Sequence, residues 1–588
     1  MTSAGLGFAR AENFAPRVLS AKDEALYRQI FDLQDEQRWA ETNKLVKDIT
    51  DPVLLGYVEF DRYMAPKGYR SSFSELKKWM AYYADHPDAD RIYRLALKRR
   101  PRSSTPPVSP VGRKWRSDPA APLPPALAAD YKRTSRPLLR QIEGRVRYLT
   151  RRERATDALR EIETHFKRGK ITERQFDRMR SWIAASLFYQ GYDARAGEIA
   201  TSVADRNGDV AVLAYWIGGL IDFGDGDMDR AYGRFSAMAR VKEQEDALRS
   251  AAGFWAARAA LASGKPKDVA PNLEIAAEFP FTFYGQLALA QLGRNYDYNW
   301  TAPALTEAGY ERLVAAAPAI KRAIALKEVG RDIDADIEFR WINGLVSDAL
   351  AVDLVALEDE LGMAAAELDL ALSRHSGETG RKLEAALFPV PDYAPQNGFT
   401  TDRALLYALM RQESKFKVEA TSRVGARGLM QLMPRTASYV AGDRNLRRGK
   451  GRDKLYDPAV NLSIGQDYVN HLITTAAEGD LFDMAVAYNG GPGNLRRWKR
   501  DFDGDDPLLF IESIPNSESR DFVEKVLTNF WIYRQRLGQP PTSRDRVAAG
   551  ELPLYEAIDQ ISGGAIRAGE NIDGDEVAEA GGENSVEE

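Results

Sequence analysis

Three tryptophans, Trp182, Trp216 and Trp255, open three related stretches: "WIAASLFYQGYDARA", "WIGGLIDFGDGDMDRA" and "WAARAALASGKPKDVA". The tryptophans are 34 and 39 residues apart, and each is followed by small residues, a Gly and a later Ala. That period is the length of one helix–turn–helix repeat, a unit that buries its apolar face only by stacking on its neighbours. The spacing therefore predicts an α-solenoid with tetratricopeptide-like helix pairs over residues 139–302. Repeats of this kind build scaffolds, so the chemistry has to be sought elsewhere in the 588 residues.

The rest of the chain divides by composition. Residues 1–19 read as a flexible start. Residues 20–98 have helical periodicity, with Ser20 as a candidate N-cap and Leu26, Ile30 and Leu33 on one face. Residues 99–138 are dense in Pro, Ser and basic side chains, which reads as an extended linker or as a loop wrapped over the helices. Residues 303–390 are again helical but lack the Trp pattern, and lead into a Pro-rich boundary. Residues 391–545 form a compact helical domain of mixed polarity. Residues 546–588 read as an acidic, largely disordered tail, with 11 Asp and Glu against one Arg after position 550.

The candidate chemistry is narrow. With no Cys and only 4 His, thiolate nucleophiles and nearly every zinc ligand set are excluded, which leaves carboxylates, hydroxyls, Lys and Arg. No cofactor and no metal are expected. The net charge of −5 gives no overall basic field for nucleic acid, and no run of eighteen apolar residues predicts a membrane span. The stretch "DFDGDDPLLFIE" places Asp501, Asp503, Asp505 and Glu512 at calcium-loop spacing, but its sixth position is Asp506 rather than Gly, so it reads as an acidic turn.

Within 391–545, the stretch "LLYALMRQESKF" puts Glu413 one turn beyond Met410, on an apolar helical stripe that includes Leu406. Alone, this reads as a helix-end Glu turned to solvent. It is followed by "GARGLMQLMPRTA", "DPAVNLSIGQDYVNHL", "AVAYNGGPGNLRRW" and "IESIPNSESRDFV". Gly428 permits close backbone approach, Gln431 offers an amide, Pro434 suits the first turn of a helix, and Gly490 and Gly491 stop another helix behind Tyr488. The string "GLMQLMP" has a chance frequency of about one in a billion per position at ordinary residue usage.

The order and spacing of these motifs over about 396–537 resemble the catalytic domain of the soluble lytic murein transglycosylase family, relatives of goose-type lysozyme. The upstream helices, including "FPFTFYGQLAL", are similar to the ring-forming helical domain of that family. The expected fold is all-α dominated: an α-solenoid followed by a lysozyme-like, mainly α catalytic domain. The resemblance implies cleavage of the β-1,4 bond between N-acetylmuramic acid and N-acetylglucosamine in peptidoglycan, with a 1,6-anhydro product end. It implies Glu413 as general acid and then base, Tyr488 and Asn489 as residues that orient the acid and the sugar, and Ser414, Met430 and Gln431 as cleft-lining positions. Glu518 and Arg520 match the family's E-x-R, while Phe522 stands where the family usually has Tyr.

The partners implied are peptidoglycan strands and other cell-wall enzymes docking on the solenoid, with no nucleic acid and no membrane span. Such a substrate demands a periplasmic location. The start "MTSAGLGFARAENFAP" lacks a signal, and Ala11 is expected near a cleavage point. The other readings are a lysozyme-like hydrolase and a non-catalytic, glycan-binding solenoid adaptor. A fragment of residues 390–545 is expected to fold and to cleave short soluble strands.

Overall fold

The computed structural model describes residues 14–65, 69–112, 129–130, 136–374 and 377–559; Ala11 and most of the acidic tail lie outside them. The described chain is nearly all helix, with isolated bridges and no strand among the described residues. None of its helices is long and apolar enough to cross a membrane. It forms two compact units: residues 1–118, 298–393 and 415–419 make up the first, and 119–297, 394–414 and 420–588 the second.

In the first unit the Ala21–Asp35 helix starts on Ser20, whose hydroxyl accepts from the Asp23 N–H at 3.1 Å. The buried face carries Tyr27, Ile30, Phe31 and Leu33, and Leu26 lies at its half-buried edge. The stripe is rotated toward Tyr27 because that hydroxyl donates to the Asp51 carbonyl at 2.6 Å, which favours burial of the ring. Glu338 is fully buried and is satisfied by the Tyr57 hydroxyl at 2.6 Å and the Arg322 guanidinium at 2.5 Å. Part of the Pro- and Ser-rich stretch lies on this unit: Arg99 donates to the Ser71 carbonyl at 2.6 Å, and the Val111 N–H to the Ala84 carbonyl at 2.8 Å.

The second unit begins with the repeat. Helices Glu173–Phe188, Asp193–Asn207, Leu213–Gly224, Met228–Arg240, Asp246–Ala262 and Val269–Ala277 pack in sequence, each on the next. Trp216 and Trp255 meet edge to face with centroids 6.3 Å apart, and Phe235 lies within 5.8 Å of both. The small residues after Trp216 have a steric reason, since a Cβ on Gly219 would come within 2.6 Å of the Phe235 ring. Trp182 is not part of this ladder; it is half-buried, with Arg147 and Arg178 stacked at 4.8 and 5.3 Å from its ring.

The same unit contains the helices that carry the sequence motifs. The Arg403–Glu413 helix is buried from Ala404 to Met410 and packs on the long Ser517–Arg536 helix, which also receives the Leu481–Gly490 helix. Asp402 pairs with Arg534 in the interior at 2.6 Å and accepts the Ile558 and Asp559 N–H groups. The first described residues of the acidic tail thus bind this core, and Leu554 bridges Asp480. On the opposite side, the repeat meets the motif helices directly. Phe283 stacks on Trp531 at 5.2 Å, the Tyr284 hydroxyl donates to the buried Glu512, and Arg258 pairs with Asp506 at 2.5 Å. Asp506 and Glu512 of the acidic turn are therefore engaged by the repeat, and no metal-binding group of three or more His, Cys, Asp or Glu occurs among the described residues.

Candidate active site

Glu413 is the last residue of its helix. The next residue, Ser414, is buried and ends the helix, with both its N–H and its hydroxyl donating to the Met410 carbonyl, at 3.0 and 3.1 Å. Lys415 and Phe416 follow with φ of 52° and 63°, a left-handed pair of non-glycine residues of the kind that cluster where a side chain must be presented against local preference. Glu413 is half-buried, and among the described residues its carboxyl has no hydrogen-bond or ion-pair partner. Its surroundings strip away most hydration, which penalises the anion, and the negative charge of Glu518 adds to this. Together they raise its pKa to about 8. At neutral pH this carboxyl is a proton donor.

The loop opposite is built on Gly428. Its φ is +76°, and a Cβ there would come within 2.1 Å of the Leu455 carbonyl, so both conformation and space require glycine. Gly428→Ala is expected to destabilise the protein by on the order of 3 kcal/mol, seen as a lowered urea midpoint; an unchanged midpoint would remove this constraint. Gln431 has a φ of 46°, and its amide donates to the Gly428 carbonyl at 2.9 Å and the Ala420 carbonyl at 3.2 Å. Met430 is fully buried, and its main chain joins the two sides of the site: its N–H donates to Asn461 at 2.8 Å and its carbonyl accepts the Tyr488 hydroxyl at 2.7 Å.

Tyr488 is near the end of the Leu481–Gly490 helix, which Gly491 closes with a φ of 84°. Burial and the charge of Glu413 push its hydroxyl pKa well up, so it stays a neutral donor. Its ring is parallel to that of Phe522 at 5.9 Å, and Tyr468 lies 5.5 Å away on another side. Phe522 thus supports Tyr488 by packing. Asn489 accepts the Ser519 hydroxyl at 2.7 Å.

These placements separate the sequence-predicted residues. Glu413, Met430 and Tyr488 converge, and Gln431 and Asn489 are held beside them on the same loop and helix. Glu518 is exposed in the first turn of the Ser517–Arg536 helix and acts on Glu413 through its field. Ser414 is spent on the helix end. Arg520 turns away, donating to the Ile514 carbonyl and stacking 3.6 Å from the Tyr189 ring of the repeat. Asn461 carries no assigned role in the sequence reading. Its amide donates to the Arg427 and Leu455 carbonyls while its oxygen holds Met430, so it ties together three backbone segments. Its only sequence signal is a polar residue inside the apolar periodicity of "DPAVNLSIGQDYV".

Fold and site together define a helical-repeat protein whose motif helices present Glu413, a carboxylic acid kept protonated at neutral pH by burial and by the field of Glu518. Residues 394–509 match the family described as Transglycosylase SLT domain. The soluble lytic murein transglycosylase of Escherichia coli K12 is 38% identical over 136 residues, which cover 23% of this chain and 21% of that protein. A putative soluble lytic murein transglycosylase of Haemophilus influenzae is 28% identical over 259 residues, covering 43% of this chain and 42% of that one. The first of these matches thus spans about a fifth of its relative's length. Over the whole fold, the 70 kDa soluble lytic transglycosylase of E. coli superposes with a TM-score of 0.56 at 18% identity, covering 89% of this chain and 98% of that one. The lytic transglycosylase Slt of Pseudomonas aeruginosa, solved as an inactive mutant, gives a TM-score of 0.53 at 20% identity over 88% and 87% of the two chains. The architecture is that of the soluble lytic transglycosylases.

Proposed function

We propose that the chain is a periplasmic lytic transglycosylase that cuts the β-1,4 bond between N-acetylmuramic acid and N-acetylglucosamine in peptidoglycan. The observation that carries this reading is Glu413: a half-buried, unpaired carboxyl protonated at neutral pH in an SLT domain. Glu413 protonates the glycosidic oxygen as the bond to the muramic anomeric carbon breaks. The carboxylate left behind then takes the proton of the muramic 6-hydroxyl as that oxygen closes on the anomeric carbon. The acid is regenerated, and the strand ends in a 1,6-anhydro ring. A nucleophile held on the substrate itself gains effective concentration and needs no bound water. Tyr488, locked between Phe522 and the Met430 carbonyl, fixes the wall of the cleft behind the acid, and Gln431 and Asn489 supply sugar contacts.

Mass spectrometry of digested sacculi tests this. Anhydro-ended muropeptides are expected; reducing ends would indicate a lysozyme-like hydrolase, and no release an adaptor. Glu518→Gln adds a second discriminator. In an inverting hydrolysis a second carboxylate activates water, so its loss would be as damaging as loss of the acid. On the proposed route Glu518 acts only through its field. The variant is expected to lose little rate at pH 6 and to shift the alkaline limb of the pH profile downward, since removing that charge lowers the pKa of Glu413.

A further inference from the structure

The chain is acidic overall, yet one stretch of the catalytic domain has the opposite sign. Arg444, Arg447, Arg448, Lys450, Arg452 and Lys454 are all exposed. The two acids among and beside them are already used: Asp453 pairs with Arg427 at 3.0 Å, and Asp443 accepts the Asn445 N–H at 2.9 Å. Among the described residues none of the six cations pairs with a carboxylate. Some of the arginines that begin the repeat differ, since Arg154 and Arg160 share Asp157 and Arg145 is paired with Glu161.

The basic stretch is fastened to the cleft. The Leu455 carbonyl at its end accepts from Asn461, the residue that also holds Met430. The Tyr456 hydroxyl lies 2.5 Å from that of Thr421 and accepts from Arg427 at 3.0 Å. An anion that reaches these cations would therefore sit on a segment tied directly to the loop of Met430 and Gln431. Six like charges with no carboxylate partner raise the local potential and attract a polyanion.

We infer that residues 444–454 dock the free carboxylates of the peptide stems borne by the glycan strand. This rests on the peptidoglycan reading of the cleft. Exposed lysines and arginines act on capture, so the effect falls on kcat/KM through KM, and it weakens as salt screens it. A stem carries its carboxylates on the same molecule as the glycan in the cleft, which favours it over a separate polyanion such as nucleic acid.

The test uses the full chain with Arg444→Ser, Arg448→Ser, Lys450→Ser and Arg452→Ser combined; Arg447 is kept because it donates to Ser438 at 3.0 Å. The substrates are glycan strands with stems and strands from which the stems have been enzymatically removed. Wild type is expected to prefer stem-bearing strands by about tenfold at low salt, and the variant to lose that preference while cleaving bare strands at the wild-type rate. Equal preference in both proteins, or an equal loss on both substrates, overturns the docking. So does a variant whose only change is weaker retention on heparin, which marks a non-specific polyanion surface. Co-sedimentation with the two strands reads binding without turnover. Wild type that cleaves neither strand, yet binds stem-bearing strands through these residues, supports the docking and rejects the catalytic reading.

Discussion

Glu413→Gln is expected to reduce turnover by at least about 10²- to 10⁴-fold, because the amide keeps the shape of the acid and has no proton to donate. The same variant should be more stable than wild type near neutral pH. In the folded protein Glu413 keeps its proton up to about pH 8, whereas in the unfolded chain a Glu releases it near ~4.3. Between those values the folded state binds one more proton than the unfolded state, so the stability of the wild type falls as pH rises. Gln has no such linkage. The difference in Tm between Glu413→Gln and wild type should be small below pH ~4.3, widen up to about pH 8 and then level off. Retained turnover would sink the acid assignment, and a Tm difference independent of pH would remove the raised pKa.

The second large effect concerns the repeat. A fragment of residues 390–545 looks self-sufficient in the sequence, since the acid, the Met430 loop and Tyr488 all lie within it. In the structure, residues 119–297 belong to the same compact unit as those motifs. Removing them uncovers Trp531, which Phe283 covers, and leaves the buried Glu512 without Tyr284 and Arg520 without Tyr189. Exposure of each large apolar side chain costs roughly 1.5–3 kcal/mol, a serious fraction of the ~5–15 kcal/mol that holds a domain folded. Glu512, already pushed up to about 7 by burial, would also lose a stabilising hydrogen bond. The Ser517–Arg536 helix is where this matters for catalysis, because Glu518, Ser519 and Phe522 on its first turns set the field on Glu413, hold Asn489 and pack Tyr488. The fragment is therefore expected to unfold at markedly lower urea than the full chain and to cleave even short soluble strands poorly. Equal midpoints and equal kcat for fragment and full chain would show that the repeat serves only to engage large substrates.

Much of this protein is legible without coordinates wherever the information is local or periodic. The repeat length predicts stacked helices because a helix pair has no other way to bury its apolar face. Ser20, Pro434 and Gly491 mark helix ends because capping and φ preferences act within a few residues. Glu413 is marked by a carboxylate on an apolar stripe, and its motif context carries the family resemblance. The tertiary structure decided the rest, because long-range contacts leave no period in the chain. Asn461 as the tie to Met430 and Arg427, Phe522 as the support of Tyr488, and Arg520 turned toward Tyr189 all depend on partners at least 30 residues away. The protonation of Glu413 is likewise set by what surrounds it, since burial and the field of Glu518, 105 positions on, arise only once the helices have packed.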